Sequence, residues 1–225
     1  RQTNMVTAKT AQKIITALKQ TVAVPTLIKT KNNPFETLII TILSQNTSDK
    51  NSEVAFTKLK QQFPITPKAL TEANTTQIEN CIKTAGLSKN KTQTIQTTSK
   101  IIHETYNDTL TPILNMPLEK ARQTLTQISG IGPKTADVLL LFSAQKPTIP
   151  IDTHIKRVSQ RIGLTPKTNN YEIIRQNLQN LFQQKDYLTT HQLLIGLGRQ
   201  YCKAQKPLCK TCPINKYCKN RETQK

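Results

Sequence analysis

Residues 128–154, ISGIGPKTADVLLLFSAQKPTIPIDTH, constrain the fold of this chain more than any other stretch. Gly130-Ile131-Gly132 is too short to be anything but a tight turn. Its glycines can adopt positive φ or admit another backbone closely. Pro133 stands where a first helical residue would, with φ already fixed. Ala136, Val138, Leu139, Leu140, Leu141 and Phe142 then form an apolar run that predicts burial. Before the turn, Leu118, Ala121, Leu125 and Ile128 recur at helical spacing, and Pro117 opens that helix. The pattern is helix, hairpin, helix over about residues 118–142. Free amides of such a turn, at a helix N-terminus, form an anion site suited to a phosphate. A Gly-x-Gly turn by itself fits an ordinary helix connection equally well or better.

Lys134 shifts that balance. The macrodipole prefers an anion in the first turn of a helix, so an ammonium there bears a local cost. The same field favours the free amine, the form a nucleophile needs. Eighteen residues on, Asp152 in Pro150-Ile151-Asp152-Thr153-His154 reads as the N-cap of the next helix. It could be a cap alone. It could also be a carboxylate that activates Lys134 or stabilises developing positive charge.

The chain of 225 residues is long enough for one large or two modest domains with a real core. Its 32 Lys+Arg against 13 Asp+Glu leave a net charge of +19, which favours a polyanionic partner. A membrane surface would be the competing partner, but no apolar run has the length of a span and no signal peptide is visible. Aromatic residues make up 4% with no Trp, so stacking on single-stranded bases is not a theme.

Helical periodicity recurs along the chain, and no sustained period-two alternation appears, so the expected fold is all-α. Residues 5–20 predict an amphipathic helix with Ile14, Ile15 and Leu18 on one side, followed by a polar loop carrying Lys29 and Lys31. Asn33-Pro34 starts a core helix bearing Phe35, Leu38, Ile39, Ile42 and Leu43. The polar break Ser44-Gln45-Asn46-Thr47-Ser48-Asp49 leads to a helix with Val54, Phe56 and Leu59. Thr75 to Gly86 predicts a short helix with Ile78, Cys81, Ile82 and Ala85 buried and Gly86 ending it. Leu87 follows at an exposed tip beside Ser88, Lys89 and Lys91. Residues 90–106, the segment from Ile155 to Ile162 stopped by Gly163, Tyr171 to Gln183, and Thr190 to Tyr201 complete the helices. His103 reads as a surface or capping group.

Four of five cysteines lie together: Cys202, Cys209, Cys212 and Cys218, with gaps of six, two and five. Nothing suggests secretion, so disulfides are not the favoured use. Four soft thiolates suit Zn²⁺ or an iron–sulfur cluster, and donor chemistry alone does not separate them. Lys203, Lys206, Lys210, Lys216, Lys219 and Arg221 surround the set and could offset cluster charge or hold phosphates. Cys81 stands apart as a small apolar residue.

LTQISGIGPKTADVLL followed by PIDTHIKRV resembles the helix-hairpin-helix DNA glycosylase superfamily, and within it the endonuclease III family. The resemblance runs from roughly Pro34 to Cys218, and the cysteine spacing matches that family's [4Fe–4S] loop. It implies a two-lobed protein: a six-helix barrel over residues 27–146 containing the hairpin, and a cluster domain joining residues 1–26 to 147–225, with the cluster loop at 202–218. Duplex DNA with a damaged base or abasic site would lie across a groove, with Lys134 and Asp152 contributed from opposite sides. Gly130, Ile131 and Gly132 would hold the backbone. Asn46 aligns with the side chain that fills the space of the extruded nucleotide, and Gln45, the residue type usual in the family, lies next to it. Leu87 matches the leucine that wedges into the duplex opposite the flipped base.

The implied activity is base excision repair by a bifunctional DNA glycosylase and AP lyase. Lys134 would displace an oxidised pyrimidine of the thymine glycol type and cut the strand by β-elimination through a Schiff base. Mismatch adenine glycosylases share the cluster, but they lack this lysine and carry a glutamate where this chain has Thr41. Mismatch thymine glycosylases usually replace the lysine, and 8-oxoguanine enzymes generally lack the four-cysteine loop. A mismatch or uracil glycosylase, or a non-catalytic helix-hairpin-helix DNA-binding protein, remains the alternative. A monomer is the default, located in the cytoplasm at the nucleoid of a prokaryote or in the nucleus of a eukaryote.

Overall fold

The computed structural model describes residues 5–24 and 33–220; Lys29, Lys31 and Arg221 lie outside them. Twelve helices order these residues, joined by loops and short 3₁₀ turns, with no strand among the described residues. The chain divides into two compact units, Ile28–Lys146 and Arg1–Leu27 with Pro147–Lys225.

The helices of the first unit are α2 (Pro34–Ser44), α3 (Asp49–Gln62), α4 (Pro67–Glu72), α5 (Thr75–Ile82), α6 (Ser88–Tyr106), α7 (Thr111–Leu114), α8 (Leu118–Gln127) and α9 (Pro133–Val138). α2 starts at Pro34, and Asn33 Oδ1 accepts the amides of Phe35 and Glu36 at 2.9 and 3.2 Å. These bonds satisfy donors that a helix start leaves without partners. α2 is buried nearly all round, through Phe35, Leu38, Ile39, Ile42 and Leu43 and also Ile40. A helix with that pattern must be central, and α3, α6 and α9 pack around it. On α3, Leu59 and Ala55 face this core and Phe56 packs partly against it, whereas Val54 faces solvent. Cys81 is only half buried.

The hairpin joins α8 to α9. Gly130 carries its reversal at φ 94°, and a Cβ there would collide with Thr98 Oγ1 and Thr94 of α6. Thr98 Oγ1 also donates to the Ser129 carbonyl at 2.7 Å, so α6 fixes the turn from beneath. Gly132 has ordinary φ and open space where a Cβ would point. The two glycines therefore answer different needs, and only the first is demanded by the fold. Beyond α9 the helix widens into a π turn over Leu139–Ser143. That turn rotates the face that follows, which leaves Phe142 half exposed while Leu139, Leu140 and Leu141 are buried.

α8 and α9 are also bound by charge. Asp137, fully buried, accepts from Arg122 Nε at 2.9 Å and Nη2 at 3.3 Å. This two-bond geometry fixes the guanidinium and carboxylate planes together.

The other unit is built on α1 (Ala8–Thr21), α10 (Thr153–Ile162), α11 (Tyr171–Leu181) and α12 (Tyr187–Gln200). Ile14, Ile15 and Leu18 join Ile155, Val158, Ile162, Leu178 and Leu194 in one core. Its cysteine loop is anchored by Ile214, which is buried.

Arg122→Met leaves the Asp137 carboxylate buried without its guanidinium, and this should cost about 3–5 kcal/mol. Denaturant unfolding measures the loss. Arg122→Met with Asp137→Leu should recover most of it, because no lone charge then remains in the core.

Candidate functional site

Lys134 occupies the second position of α9, directly after Gly132 and Pro133. The side chain is half buried, and Nζ makes no hydrogen bond or ion pair among the described residues. Its amine is therefore uncommitted, one turn ahead of the Asp137–Arg122 pair that holds α9 in place.

In the other unit Asp152 caps α10, with Oδ1 accepting the Ile155 amide at 2.7 Å. Its second carboxylate oxygen has no hydrogen-bond partner among the described residues, so capping uses only half of the group. The approach to Asp152 is fixed by two residues that sequence reading missed. Tyr171 Oη accepts the Ile151 amide at 3.2 Å, and buried His191 bonds through Nδ1 to the Pro150 carbonyl at 3.0 Å. A carbonyl can only accept, so His191 carries its proton on Nδ1.

Two loops of the first unit carry the remaining predicted residues. Gln45 ends α2 and is half buried, whereas Asn46 is exposed with φ 54°. Leu87 is 59% exposed with φ 50°. Such a conformation is unfavourable for a leucine, and strained residues concentrate where a chain functions. An exposed, strained leucine contributes little to its own core.

The outward face of α10 is cationic. Lys156, Arg157, Arg161 and Lys167 line a groove of about 690 Å³ that has no carboxylate in its lining. The two arginines have a further task. Arg157 donates to the carbonyls of Gly198 and Cys202, and Arg161 to those of Lys203 and Ala204, at 2.7–3.1 Å. They thereby clamp the entry to the cysteine loop onto α10.

Along that loop Cys202, Cys209, Cys212 and Cys218 are half-buried thiols, with no disulfide among the described residues. Among the described residues no three potential ligands converge on a single metal-ion position. The other three sulfurs nevertheless bear on Cys212. Burial, joined by the charges of Cys218, Cys202 and Cys209, pushes the Cys212 thiol up, opposed by the Ile214 backbone. Lys203, Lys206, Lys210, Lys216 and Lys219 are exposed around them.

Residues 39–184 match the model of the HhH-GPD superfamily of base excision DNA repair proteins. Endonuclease III of Sulfolobus acidocaldarius is 40% identical over 188 residues, which cover 83% of this chain and 82% of that protein. The chain belongs to the endonuclease III family. Two solved structures carry the likeness into three dimensions. A non-covalent endonuclease III–DNA complex superposes with a TM-score of 0.84 at 26% identity, covering 97% of this chain and 98% of the other. A trapped covalent endonuclease III–DNA intermediate with an estranged adenine gives 0.84 at 27% identity, covering 97% and 99%. Membership in this family implies a metal cluster, and four thiols on one loop clamped to α10 supply the donor chemistry for one.

His154, two residues after Asp152, gives the site a pH dependence. Burial chiefly, with the charges of Arg157 and Arg199, pushes its pKa down, and Asp152 and the Gly198 backbone oppose them. Arg157 Nη2 lies 3.1 Å from Nδ1 and can only donate, so Nδ1 must accept and stay unprotonated. Below the ordinary value of 6.5 the unfolded chain binds a proton that the folded chain refuses. Stability is thus complete above that pH and falls as the solution is acidified through the folded value. Thermal midpoints taken across this range should fall more steeply for the wild type than for His154→Gln. Parallel curves would remove His154 from the account.

Proposed function

We propose that this chain is a base excision repair enzyme, a bifunctional DNA glycosylase and AP lyase acting on oxidised pyrimidines of the thymine glycol type in duplex DNA. The observation that carries the reading is the coincidence of an uncommitted Lys134 amine after Gly-x-Gly-Pro with Asp152 half-used as a helix cap, in a chain of the endonuclease III family.

The amides of Gly130 and Gly132 hold the DNA backbone without reading sequence, whereas that of buried Ile131 already donates to the Ile128 carbonyl at 3.0 Å and shapes the turn. Gly132 supports this, since the fold leaves open space where its side chain would be. Leu87 enters the stack and kinks the duplex, Asn46 with Gln45 fills the gap, and the damaged nucleotide turns out. The Lys134 amine attacks C1′, the bond from C1′ to the base breaks, and the base leaves with the electron pair and gains a proton. Asp152 takes the proton that the lysine nitrogen gives up and stabilises charge growing on the sugar. Opening of the sugar ring leaves a Schiff base between Lys134 and C1′. This acidifies the C2′ proton, whose loss expels the 3′ phosphate and cuts the strand.

Cys202, Cys209, Cys212 and Cys218 hold a [4Fe–4S] cluster whose chemistry here is structural, tying the ends of the basic loop together. The Arg157 and Arg161 clamp supports that assignment by fixing the first ligand. The enzyme works where genomic DNA lies, at the nucleoid in a prokaryotic cytoplasm or in a eukaryotic nucleus. No helix among the described residues is long and apolar enough to cross a membrane.

Borohydride trapping tests the chemistry. Duplexes containing thymine glycol or an abasic site should give a covalent adduct with the wild type and none with Lys134→Ala. Asp152→Asn should slow base release by about 10²–10⁴-fold. Tight binding without adduct or base release on any damaged duplex would make the chain a binding protein only.

Iron and sulfide analysis tests the loop. Protein as purified should be brown and should bleach when the iron is removed, with binding to DNA weakened. A colourless, zinc-containing preparation with full activity would overturn the cluster.

A further inference from the structure

Lys91 is 5% exposed, and it was singled out in sequence only as a flank of the Leu87 tip. Its Nζ donates to the Leu43 carbonyl at 2.7 Å and to the Ala85 carbonyl at 2.8 Å. Leu43 lies near the C-terminal end of α2, three residues before Asn46. Ala85 closes a 3₁₀ turn two residues before Leu87. The Lys91 amide also closes on the Leu87 carbonyl at 3.0 Å, so this residue grips the tip from both sides.

Carbonyls at helix ends lack partners within the helix and favour a cation. A buried lysine is an expensive way to supply one, and burial pushes its pKa below the ordinary lysine value. Apolar packing would serve the core at lower cost. What the ammonium adds is a fixed distance between two loops that are far apart in sequence. Both of those loops hold a non-glycine residue at positive φ, Asn46 and Leu87.

We propose that Lys91 is a positioning residue that locks the 44–49 and 86–88 loops together, so that Asn46 and Leu87 enter the duplex as one wedge. This rests on the reading of those two residues as DNA-inserting. In the free protein the wedge is thus already assembled, and less ordering remains when DNA binds. The effect should appear when a nucleotide must be extruded and should be small when it is already unstacked.

A double-mutant cycle tests this, with Lys91→Met, Leu87→Ala and the pair beside the wild type. Single-turnover release of thymine glycol from a paired duplex is compared with β-elimination at an abasic site in a single strand. Fluorescence of 2-aminopurine beside the lesion reports extrusion, and thermal unfolding reports the fold. Lys91→Met should slow release and extrusion on the duplex by about 10-fold, change single-strand cleavage by less than about threefold, and add little to Leu87→Ala, since coupled residues are not additive. Equal losses on both substrates, losses that add to those of Leu87→Ala, or no loss would overturn the proposal. An unimpaired Leu87→Ala would overturn the wedge reading itself, and the proposal with it. If Lys91→Met does not fold, Lys91→Gln, which keeps donor hydrogens, enters the cycle in its place. Failure of both to fold would overturn the proposal, since Lys91 would then serve the whole core.

Discussion

The buried pair between Asp137 and Arg122 is the contact on which the hairpin depends. Such a pair adds little net stability over apolar residues of equal volume. Its value is geometric: two parallel bonds permit one relative placement of α8 and α9 and discourage slippage along the helix axis. The turn between them can then stay open, with Gly130 braced against α6 and Gly132 left uncovered. A hairpin held only by apolar contacts would need more cover over its amides. Lys134 inherits its position from this pair, because it lies one turn before Asp137 on the same short helix.

α10 serves the second unit in a comparable way. Its N-terminus presents Asp152, its inner face fills the core through Ile155, Val158 and Ile162, and its outer face is cationic. Two of its arginines also hold the backbone leading into the cysteine loop. One rigid helix thereby links a carboxylate, a basic groove and the anchor of four thiols. A change at Arg157 reaches the loop through Cys202 and the cap region through His154.

The elements legible in sequence were those defined by near neighbours. Asn33-Pro34, Pro133 and Asp152 act on residues within one turn, and the apolar period of α2 and α10 marks their buried faces directly. The family resemblance is what attached expected roles to Lys134 and the four cysteines. What sequence could not show were charges whose partners are distant or whose burial is exceptional. Arg122 meets Asp137 across a turn, Lys91 reaches a carbonyl 48 residues away, and His191 one 41 residues away. Each looks like a surface residue, because Lys, Arg and Asp are seldom fully buried unless paired. Phe142 was misread for a different reason: a π turn shifts the helical face, and local composition does not announce it.

The strain in the first unit points outward. Asn46 is of a type that tolerates the left-handed region, but at Leu87 that region costs of order 1–3 kcal/mol. Glycine at Leu87 would relieve that cost, and the chain already uses glycine at Gly86 and Gly130 where the backbone requires positive φ. At Leu87 it retains a large apolar side chain that is 59% exposed, gaining little burial in return. Neither conformation nor packing inside this unit accounts for that choice. On the proposed reading that side chain finds its compensation in a complex, where a gap in a base stack offers the apolar surroundings that solvent denies it. On the same proposal the buried Lys91 ammonium serves the relative placement of the two loops, since it bonds a carbonyl at the edge of each.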